Sequence, residues 1–289
     1  MIGALVHGDE VGSLPAVANL VAALNAGATS FGGRLTVFLG NPEASAQQRR
    51  FLEADLNRVF VDDPPACHEG DRARELKPIL DAADLFVDLH QTIEETDRPF
   101  YIFPYDEAGA HWAQAIAGAV SWVTRPPTAT FSAGTCGTDE YVRNRGKPGL
   151  TLELGTKGFH RQSIVRAANV LDRLLQVADQ VGSGAASLDH AAAAQPELEF
   201  LHTTWIQPFD DPQMRLRPGL ANFEPVAEGE QLSADATPLI VAPHAGMVLF
   251  PKYPAYDTSG VVVEPRPGEI VRIVAPLEDH PSKVWSSEA

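Results

Sequence analysis

The chain has 289 residues, of which 44% are hydrophobic and 21% charged, and its formal net charge is -16. That length accommodates one large domain or two smaller ones with a substantial core. The negative charge argues against a nucleic-acid partner, because a phosphate-binding surface needs positive potential. A small anionic substrate stays compatible, since it needs only a local cationic pocket.

Membrane insertion and export are not indicated by the sequence. No apolar run approaches the roughly 18 residues of a membrane span, and no basic segment precedes the first apolar run, as a signal peptide would require. We therefore expect a cytoplasmic protein, and a homo-oligomer stays open. Cys67 and Cys136 fit no Cys-based metal spacing and are expected to be free thiols.

Strand-like apolar segments alternate with amphipathic helical segments in the first two thirds of the chain. In chain order these segments are IGALV (2–6), LPAVANLVAALNAG (14–27), RLTVFLGNP (34–42), ARELKPILDAA (73–83), DLFVDLH (84–90), HWAQAIAGAV (111–120), GLTLELG (149–155) and RQSIVRAANVLDRLLQVADQV (161–181). The alternation predicts an α/β fold in which helices flank both faces of a mostly parallel or mixed sheet. Active sites in such folds form at the carboxyl ends of the strands.

The small-residue stretch 181–196 is typical of a linker or of a helix end that runs into one. After it, short strand-like segments follow one another without helices: ELEFLHTTWIQ (197–207), PLIVAPHAGMVLF (238–250) and GVVVEP (260–265). We therefore predict a catalytic domain at 1–196 and a smaller β-rich domain at 197–289.

The first predicted strand runs directly into His7, Gly8, Asp9 and Glu10. Side chains three residues apart can converge from one turn. Histidine and carboxylate are favoured ligands of catalytic zinc, which takes three protein ligands and leaves one position for water. The alternative is a polar turn that caps the following helix.

A further ligand candidate ends the predicted strand DLFVDLH. Strand alternation places Asp88 and His90 on one face, where Asp88 is suited to orienting the imidazole ring. Taken alone, His90 is better explained as an ordinary strand-end histidine. Together with His7 and Glu10 at the end of another strand, it favours a zinc site formed by the three side chains.

Glu153 lies in the predicted strand GLTLELG. Leu150, Leu152 and Leu154 share one face of this strand, which leaves Thr151 and Glu153 on the other. The Glu153 carboxylate either faces solvent or, beside a metal, moves a proton between water and a leaving amine.

Arginines concentrate in two segments. RRFLEADLNRVF (49–60) contains Arg49, Arg50, Asn57 and Arg58, and YVRNRGKPG (141–149) contains Arg143 and Arg145. The planar guanidinium presents a two-donor fork that matches a carboxylate, so these residues are candidates for binding substrate carboxylates. The alternative is that they are solvated surface arginines.

The motifs HGDE, GNPEA, RRFLEADLNR, DLHQT and LTLELG, in this order, resemble those of the succinylglutamate desuccinylase/aspartoacylase family. These are zinc amidohydrolases with a carboxypeptidase-like α/β fold. The motifs run from residue 7 to about 155, and RPGLANFEPVAEGEQL and APHAGMVLFPKYP extend the likeness into the second predicted domain. The resemblance implies a mixed sheet flanked by helices and a smaller β-rich domain that narrows the cleft.

The resemblance also implies a site and a reaction. The implied residues are His7, Glu10 and His90 for one zinc ion per chain, Glu153 as general base and then acid, Arg50 to polarise the acyl carbonyl, and Asn57, Arg58 and Arg143 for substrate carboxylates. The reaction is hydrolysis of a small N-acyl amino acid to a carboxylate and a free amino acid.

Two positions depart from the family pattern. Asp139 stands where aspartoacylases often have a tyrosine, which favours a substrate that carries an amino group. The C-terminal family tyrosine matches either Tyr253 or Tyr256, and we prefer Tyr256 as a substrate-binding residue. Family members usually have further residues before the first zinc strand, so an upstream edge strand is expected to be missing.

Two other functions fit the same residues. A metallocarboxypeptidase uses the same ligands and base on a peptide, but the β-rich domain favours small substrates. A non-catalytic protein could keep the fold and bind zinc or a small molecule, but Glu153 and Arg50 argue for turnover. The sequence does not determine which acyl group or amino acid is cleaved.

Overall fold

The structure is a computed structural model that describes residues 1–235, 237–258, 262–263 and 266–285. Most of the predicted strand at 260–265 lies outside these residues. The strands are β1 (Ile2–Ala4), β2 (Val37–Leu39), β3 (Phe86–Thr92), β4 (Phe100–Ile102), β5 (Ser121–Thr124), β6 (Gly149–Thr156), β7 (Glu199–Pro208), β8 (Pro225–Val226), β9 (Gly246–Leu249) and β10 (Glu269–Pro276). The α-helices are α1 (Leu14–Asn25), α2 (Pro42–Ala46), α3 (His68–Leu80), α4 (Glu107–Ile116), α5 (Thr138–Arg143), α6 (Arg161–Gly182), α7 (Leu188–Ala193) and α8 (Pro281–Val284).

These strands form one mixed sheet in the order β2-β1-β3-β6-β4-β5-β7-β10-β9-β8. The strands β2, β1, β3 and β6 run parallel to one another, and β4 is antiparallel to β6. β5 pairs in parallel with both β4 and β7. The predicted mixed α/β sheet with flanking helices is confirmed.

The two faces of the sheet carry different side chains. Val87 and Leu89 of β3 and the three leucines of β6 belong to a buried apolar cluster with residues of α1, α4 and α6. Phe86 belongs to a second cluster, with residues of α3 and α5, on the opposite face. Because side chains alternate along a strand, His90 and Glu153 are on the α3 and α5 face, and they lie opposite each other in the β3–β6 ladder.

The predicted helix at 111–120 extends too far at its C-terminal end. α4 stops at Ile116, where Ala117 takes a left-handed conformation (φ 53°), and the apolar run continues into β5 at Ser121. Neither β5 nor the short strand β4 was predicted, because periodicity cannot separate a buried strand from an adjoining apolar helix. The stretch 181–196 is also more than a linker, since it contains α7, which packs against α4.

The β-rich C-terminal part is joined to the rest through β7. The first residues of β7 pair with β5, and Leu201–Pro208 pair with β10. The sheet therefore crosses the predicted boundary near residue 197 without a break, and the division into two domains stays a prediction.

Buried Asn222 provides a second connection between the two parts. Its Nδ2 donates to the carbonyl oxygens of Glu94 and Glu95, 3.1 and 3.0 Å away, and its Oδ1 accepts from Phe250 N at 2.8 Å. This one amide therefore fixes the segment after β3 against the segment after β9.

Candidate active site

The structure brings His7, Glu10 and His90 together at the carboxyl ends of β1 and β3. His7 Nδ1 lies 2.7 Å from Glu10 Oε1, and His90 Nδ1 lies 2.9 Å from Glu10 Oε2. The two Nδ1 atoms are 3.2 Å apart, and all three side chains are at most 5% exposed. Two imidazole nitrogens and a carboxylate facing one point are the donor set of a catalytic zinc site, so the residues present fit that ion.

Local backbone geometry turns His7 into this position. The chain leaves β1 through Leu5, which adopts a left-handed conformation (φ 59°) that is costly for a residue with a Cβ. Gly8 then packs directly against α2 and the segment that follows it, and Gly8 N donates to Arg50 O at 2.9 Å. This close approach explains why glycine stands between His7 and Glu10.

The outward nitrogens of both histidines face carboxylates. Asp55 Oδ1 lies 3.1 Å from His7 Nε2, and Asp88 Oδ2 lies 2.9 Å from His90 Nε2. His7 Nε2 also lies 2.8 Å from Arg50 Nη2. Thr138 Oγ1 donates in turn to Asp88 Oδ2. Such outer carboxylates fix the tautomer and orientation of metal-binding imidazoles. The sequence indicated Asp88 but not Asp55, for which the only signal was an acid within the RRFLEADLNR motif.

Opposite charges outweigh burial within this cluster. Burial alone would raise the pKa of Glu10, but His7 and His90 hold it well below its usual range. Burial would lower the pKa of His90, whereas Asp88 and Glu10 raise it well above the ordinary value. Glu10 and His90 therefore stabilise each other in their charged forms.

Glu153 lies beside the cluster and faces the cavity rather than bulk solvent, with 8% exposure. Burial, and secondarily Glu10, raise its pKa to about 7, while His90, His7 and Arg50 oppose that rise. Its Oε2 is buried without a hydrogen-bond partner among the described residues. One carboxylate oxygen is therefore free to bind a proton or a water molecule.

A cavity of about 790 Å³ opens over these groups. Its walls come from both parts of the chain. The residues that line it include His7, Glu10, Arg50, Asp55, Asn57, Arg58, His90, Arg125, Asp139, Glu153, Phe250, Lys252, Tyr253, Glu269 and Arg272.

Arg50, Asn57 and Arg58, which the sequence made candidates for a binding site, line this cavity. Arg50 Nη1 donates to Glu10 Oε1 at 3.0 Å, so this guanidinium touches the cluster directly. Asn57 Oδ1 accepts from the backbone and hydroxyl of Thr138 at 2.9 and 3.2 Å, which fixes its side chain. Arg58 packs over the ring of Phe131, with its guanidinium carbon 4.8 Å from the ring centre.

Arg143 is not among the described residues that line the cavity. Its Nη1 donates to Asp139 Oδ2 and Gly149 O, both at 2.7 Å. Asp139 itself does line the cavity, and although burial would raise its pKa, Arg143 lowers it. Arg125, which the sequence analysis missed, lines the cavity nearby and donates to Glu140 Oε1 at 2.7 Å.

Tyr256 does not contact the cavity, contrary to the preference stated from sequence. Its hydroxyl donates to Met214 O at 3.0 Å, and the Arg215 guanidinium lies over its ring. Tyr253 lines the cavity instead, and its hydroxyl donates to Arg217 O at 2.8 Å. The two tyrosines are three positions apart in sequence, and only the fold of the C-terminal part determines which of them reaches the cavity.

Comparison with protein families identifies the class of this protein. Residues 1–178 match the model of the succinylglutamate desuccinylase/aspartoacylase catalytic domain, which covers more than half of the 289 residues. The match places the chain among hydrolytic deacylases of N-acyl amino acids. More particularly, the chain belongs to the succinylglutamate desuccinylase/aspartoacylase family, as its motifs predicted.

Individual relatives agree with that assignment. The succinylglutamate desuccinylase of Pseudomonas paraeruginosa is 27% identical over 273 residues, which cover 87% of this chain and 79% of that protein. The enzyme of the same name from Burkholderia cenocepacia is 28% identical over 256 residues, which cover 81% and 71% of the two chains.

Solved structures share the fold. A succinylglutamate desuccinylase from Vibrio parahaemolyticus has a TM-score of 0.69 at 18% identity and covers 96% of this chain and 82% of its own. Murine aminoacylase 3 has a TM-score of 0.61 at 21% identity and covers 96% and 94%. The product-bound ectoine utilization protein of Ruegeria pomeroyi has a TM-score of 0.64 at 21% identity and covers 95% and 84%.

Cys67 and Cys136 are both free thiols. Within the described part of the chain, no helix combines the length and apolar character that a membrane span needs.

Gly8→Ala tests the packing that positions His7. A Cβ at residue 8 would lie 2.5 Å from Arg49 O and from Ser45 N, so the HGDE turn must move away from that segment. We expect the free energy of unfolding to fall by about 1–3 kcal/mol, as for other overpacked sites, together with a loss of activity. Urea unfolding measures the first effect.

Gly182→Ala is the matched control, because a Cβ there meets nothing within 4 Å. It should be neutral or stabilising by up to about 1 kcal/mol. An unchanged unfolding midpoint in Gly8→Ala would contradict the packing argument.

Proposed function

We propose that this protein is a zinc-dependent hydrolase that cleaves the amide bond of a small N-acyl amino acid and releases a carboxylate and a free amino acid. The observation that carries the proposal is the convergence of His7, Glu10 and His90 beside Glu153 in one cavity. Membership of the deacylase family supplies the reaction class.

The Nδ1 atoms of His7 and His90 and a Glu10 oxygen would hold the ion. Asp55 and Asp88 fix the two rings from their outward nitrogens. When bound, zinc supplies a Lewis acid that polarises water and the acyl carbonyl.

Glu153 is proposed to take a proton from water and to deliver it to the departing amine. A carboxyl group with a pKa of about 7 both accepts and donates a proton near neutral pH. The buried Oε2, which has no partner among the described residues, is the oxygen available for that proton.

Arg50 is proposed to donate to the acyl oxygen as negative charge develops on it, because its guanidinium lies beside Glu10 at the cavity wall. Three residues of the cavity wall are candidates for binding the substrate carboxylate: Arg58, Asn57 and Arg125. Arg143 acts on the cavity through its bond to Asp139. Tyr256 has no place in the proposed site.

A panel of substrates tests the reaction against its alternatives. It should contain acetyl, succinyl and formyl groups on acidic and basic amino acids, together with short peptides. Turnover of the N-acyl amino acids supports the proposal. Turnover of peptides alone indicates a metallocarboxypeptidase, and zinc binding without turnover indicates a binding protein.

Metal content tests the ligand set. We expect about one zinc ion per chain in the purified protein, as in mononuclear catalytic sites, and loss of most of it in His90→Ala. Elemental analysis by mass spectrometry measures both. His190→Ala, which changes an exposed histidine on α7, should retain the metal. Equal zinc content in both variants would remove His90 from the site.

Glu153→Gln tests the proton transfer. The amide keeps the shape but cannot accept a proton, so kcat should fall by at least about 100-fold while zinc content stays unchanged. Glu197→Gln, at an exposed position, is the matched control and should keep wild-type kcat. Near-normal turnover in Glu153→Gln would exclude Glu153 from the mechanism.

Asp139→Asn tests substrate choice. The Asp139 carboxylate lines the wild-type cavity with Arg143 bound to it. We expect kcat/KM to be higher for N-acetyl-2,4-diaminobutyrate than for N-acetylaspartate, because the carboxylate favours a substrate ammonium over a second carboxylate. The difference should correspond to a few kcal/mol at most at a realistic effective dielectric. Asp139→Asn leaves Arg143 without its counter-charge and should narrow the gap in kcat/KM. A wild-type preference for N-acetylaspartate or N-succinylglutamate would contradict the role of Asp139 in substrate choice.

A further inference from the structure

Glu69, in the first turn of α3, has a fully buried side chain, and three of its four hydrogen bonds go to consecutive residues of one loop. Its Oε1 accepts from Leu52 N at 2.6 Å and from Asn41 Nδ2 at 2.9 Å. Its Oε2 accepts from Glu53 N and Ala54 N, both at 3.0 Å. Three consecutive backbone amides and one side-chain amide therefore surround a single carboxylate.

The segment held in this way lies between two residues of the active site. Arg50 comes two residues before Leu52, and Asp55 follows Ala54 directly. Arg50 donates to Glu10, and Asp55 faces His7 Nε2. Residues 51–55 contain no helix or strand, so neither a ladder nor helical hydrogen bonding fixes their backbone. The preceding residue, Arg50, is held through its carbonyl oxygen, which accepts from Gly8 N.

A metal site is the competing explanation for Glu69. One of its carboxylate oxygens and the candidate ligand atoms of Glu53 and Cys67 lie within 4.8 Å of one another. Each Glu69 oxygen, however, already accepts two hydrogen bonds. The nearby Glu53 carboxylate also accepts from His68 N. Burial would raise the pKa of Glu69, yet the donors around it lower that pKa. These hydrogen bonds therefore identify the Glu69 carboxylate as an anion bound by amide N–H groups rather than as a metal ligand.

We propose that Glu69 is a positioning residue for the reaction, and that its carboxylate fixes residues 52–54 so that Arg50 reaches Glu10 and Asp55 reaches His7. The kinetic part of this inference rests on the proposed function. Asn41 is part of the same hydrogen-bond network. Its Nδ2 donates to Glu69, and its Oδ1 caps the N-terminus of α2. Asn41 belongs to the GNPEA motif, so this motif would help to position the active-site loop.

Glu69→Gln separates charge from shape. The amide replaces one acceptor oxygen by an NH₂ group that must face backbone N–H donors, which leaves buried donors without partners. Glu69→Asp keeps the charge but is one methylene shorter, so it cannot reach all three backbone amides. Glu75→Gln changes an exposed glutamate on the same helix, whose side chain is 66% accessible, and is the matched control.

Four quantities should be measured in the purified wild type and the three variants: kcat, KM, zinc affinity by chelator competition, and hydrogen exchange of the amides of residues 52–54. In Glu69→Gln we expect kcat to fall at least tenfold, with a smaller change in KM, because Arg50 acts on the reacting carbonyl. Zinc affinity should fall about 10-fold or more, as when an outer partner of a ligating histidine is lost, and the three amides should exchange faster. Glu69→Asp should show smaller losses in the same direction, and Glu75→Gln should match wild type.

A folded Glu69→Gln protein with kcat and zinc affinity within twofold of wild type would overturn the proposal. If Glu69→Gln does not fold, Glu69→Asp provides the test. A folded Glu69→Asp protein with wild-type kcat and zinc affinity would also overturn the proposal. A wild-type protein that hydrolyses no member of the panel refutes the proposed function instead. The positioning role is then decided by zinc affinity and amide exchange, which do not depend on turnover.

Discussion

The parallel register of β1, β3 and β6 is the constraint on which the rest of the site depends. Ile2 pairs with Val87, and His90 pairs with Glu153, so three adjacent strands deliver their polar ends to one edge of the sheet. A slip of one residue between β3 and β6 would send Glu153 to the apolar face and bring a leucine into the cavity. The leucines of β6, buried in one cluster with residues of α6, therefore fix which face of the sheet Glu153 occupies.

Burying several ionisable groups at this edge is costly, since each unpaired ion loses several kcal/mol of hydration. The structure offsets that cost by pairing. Glu10 contacts both histidines, Arg50 and the backbone of Gln91, and its pKa is lowered despite burial. Glu153 is the exception, because there burial prevails and the pKa rises to about 7. The proposed role of Glu153 in proton transfer rests on this difference, because its Oε2 has no hydrogen-bond partner among the described residues.

The sequence predicted the strand-borne part of the site better than the loop-borne part. His7, His90 and Glu153 follow from where apolar segments end and how side chains alternate, both of which are local properties. Arg125 follows the short strand β5, which periodicity merged with a helix. Tyr253 rather than Tyr256 reaches the cavity only because of how the C-terminal part packs. Such placements depend on contacts between residues far apart in sequence, which no local pattern contains.

Loops that lack ladder or helix bonds need other partners for their backbone groups, and here two buried side chains provide them. Glu69 binds the amides of the segment between Arg50 and Asp55, and Asn222 binds the segment after β3 together with Phe250 N. Both act from outside the loops that they hold, and both satisfy several polar groups with one side chain. The sheet thus positions the histidines and Glu153, whereas buried polar anchors position the groups around them. Each anchor holds a loop that lines the cavity or lies beside a residue lining it, so the shape of the cavity depends on buried polar bonds as well as on the strands.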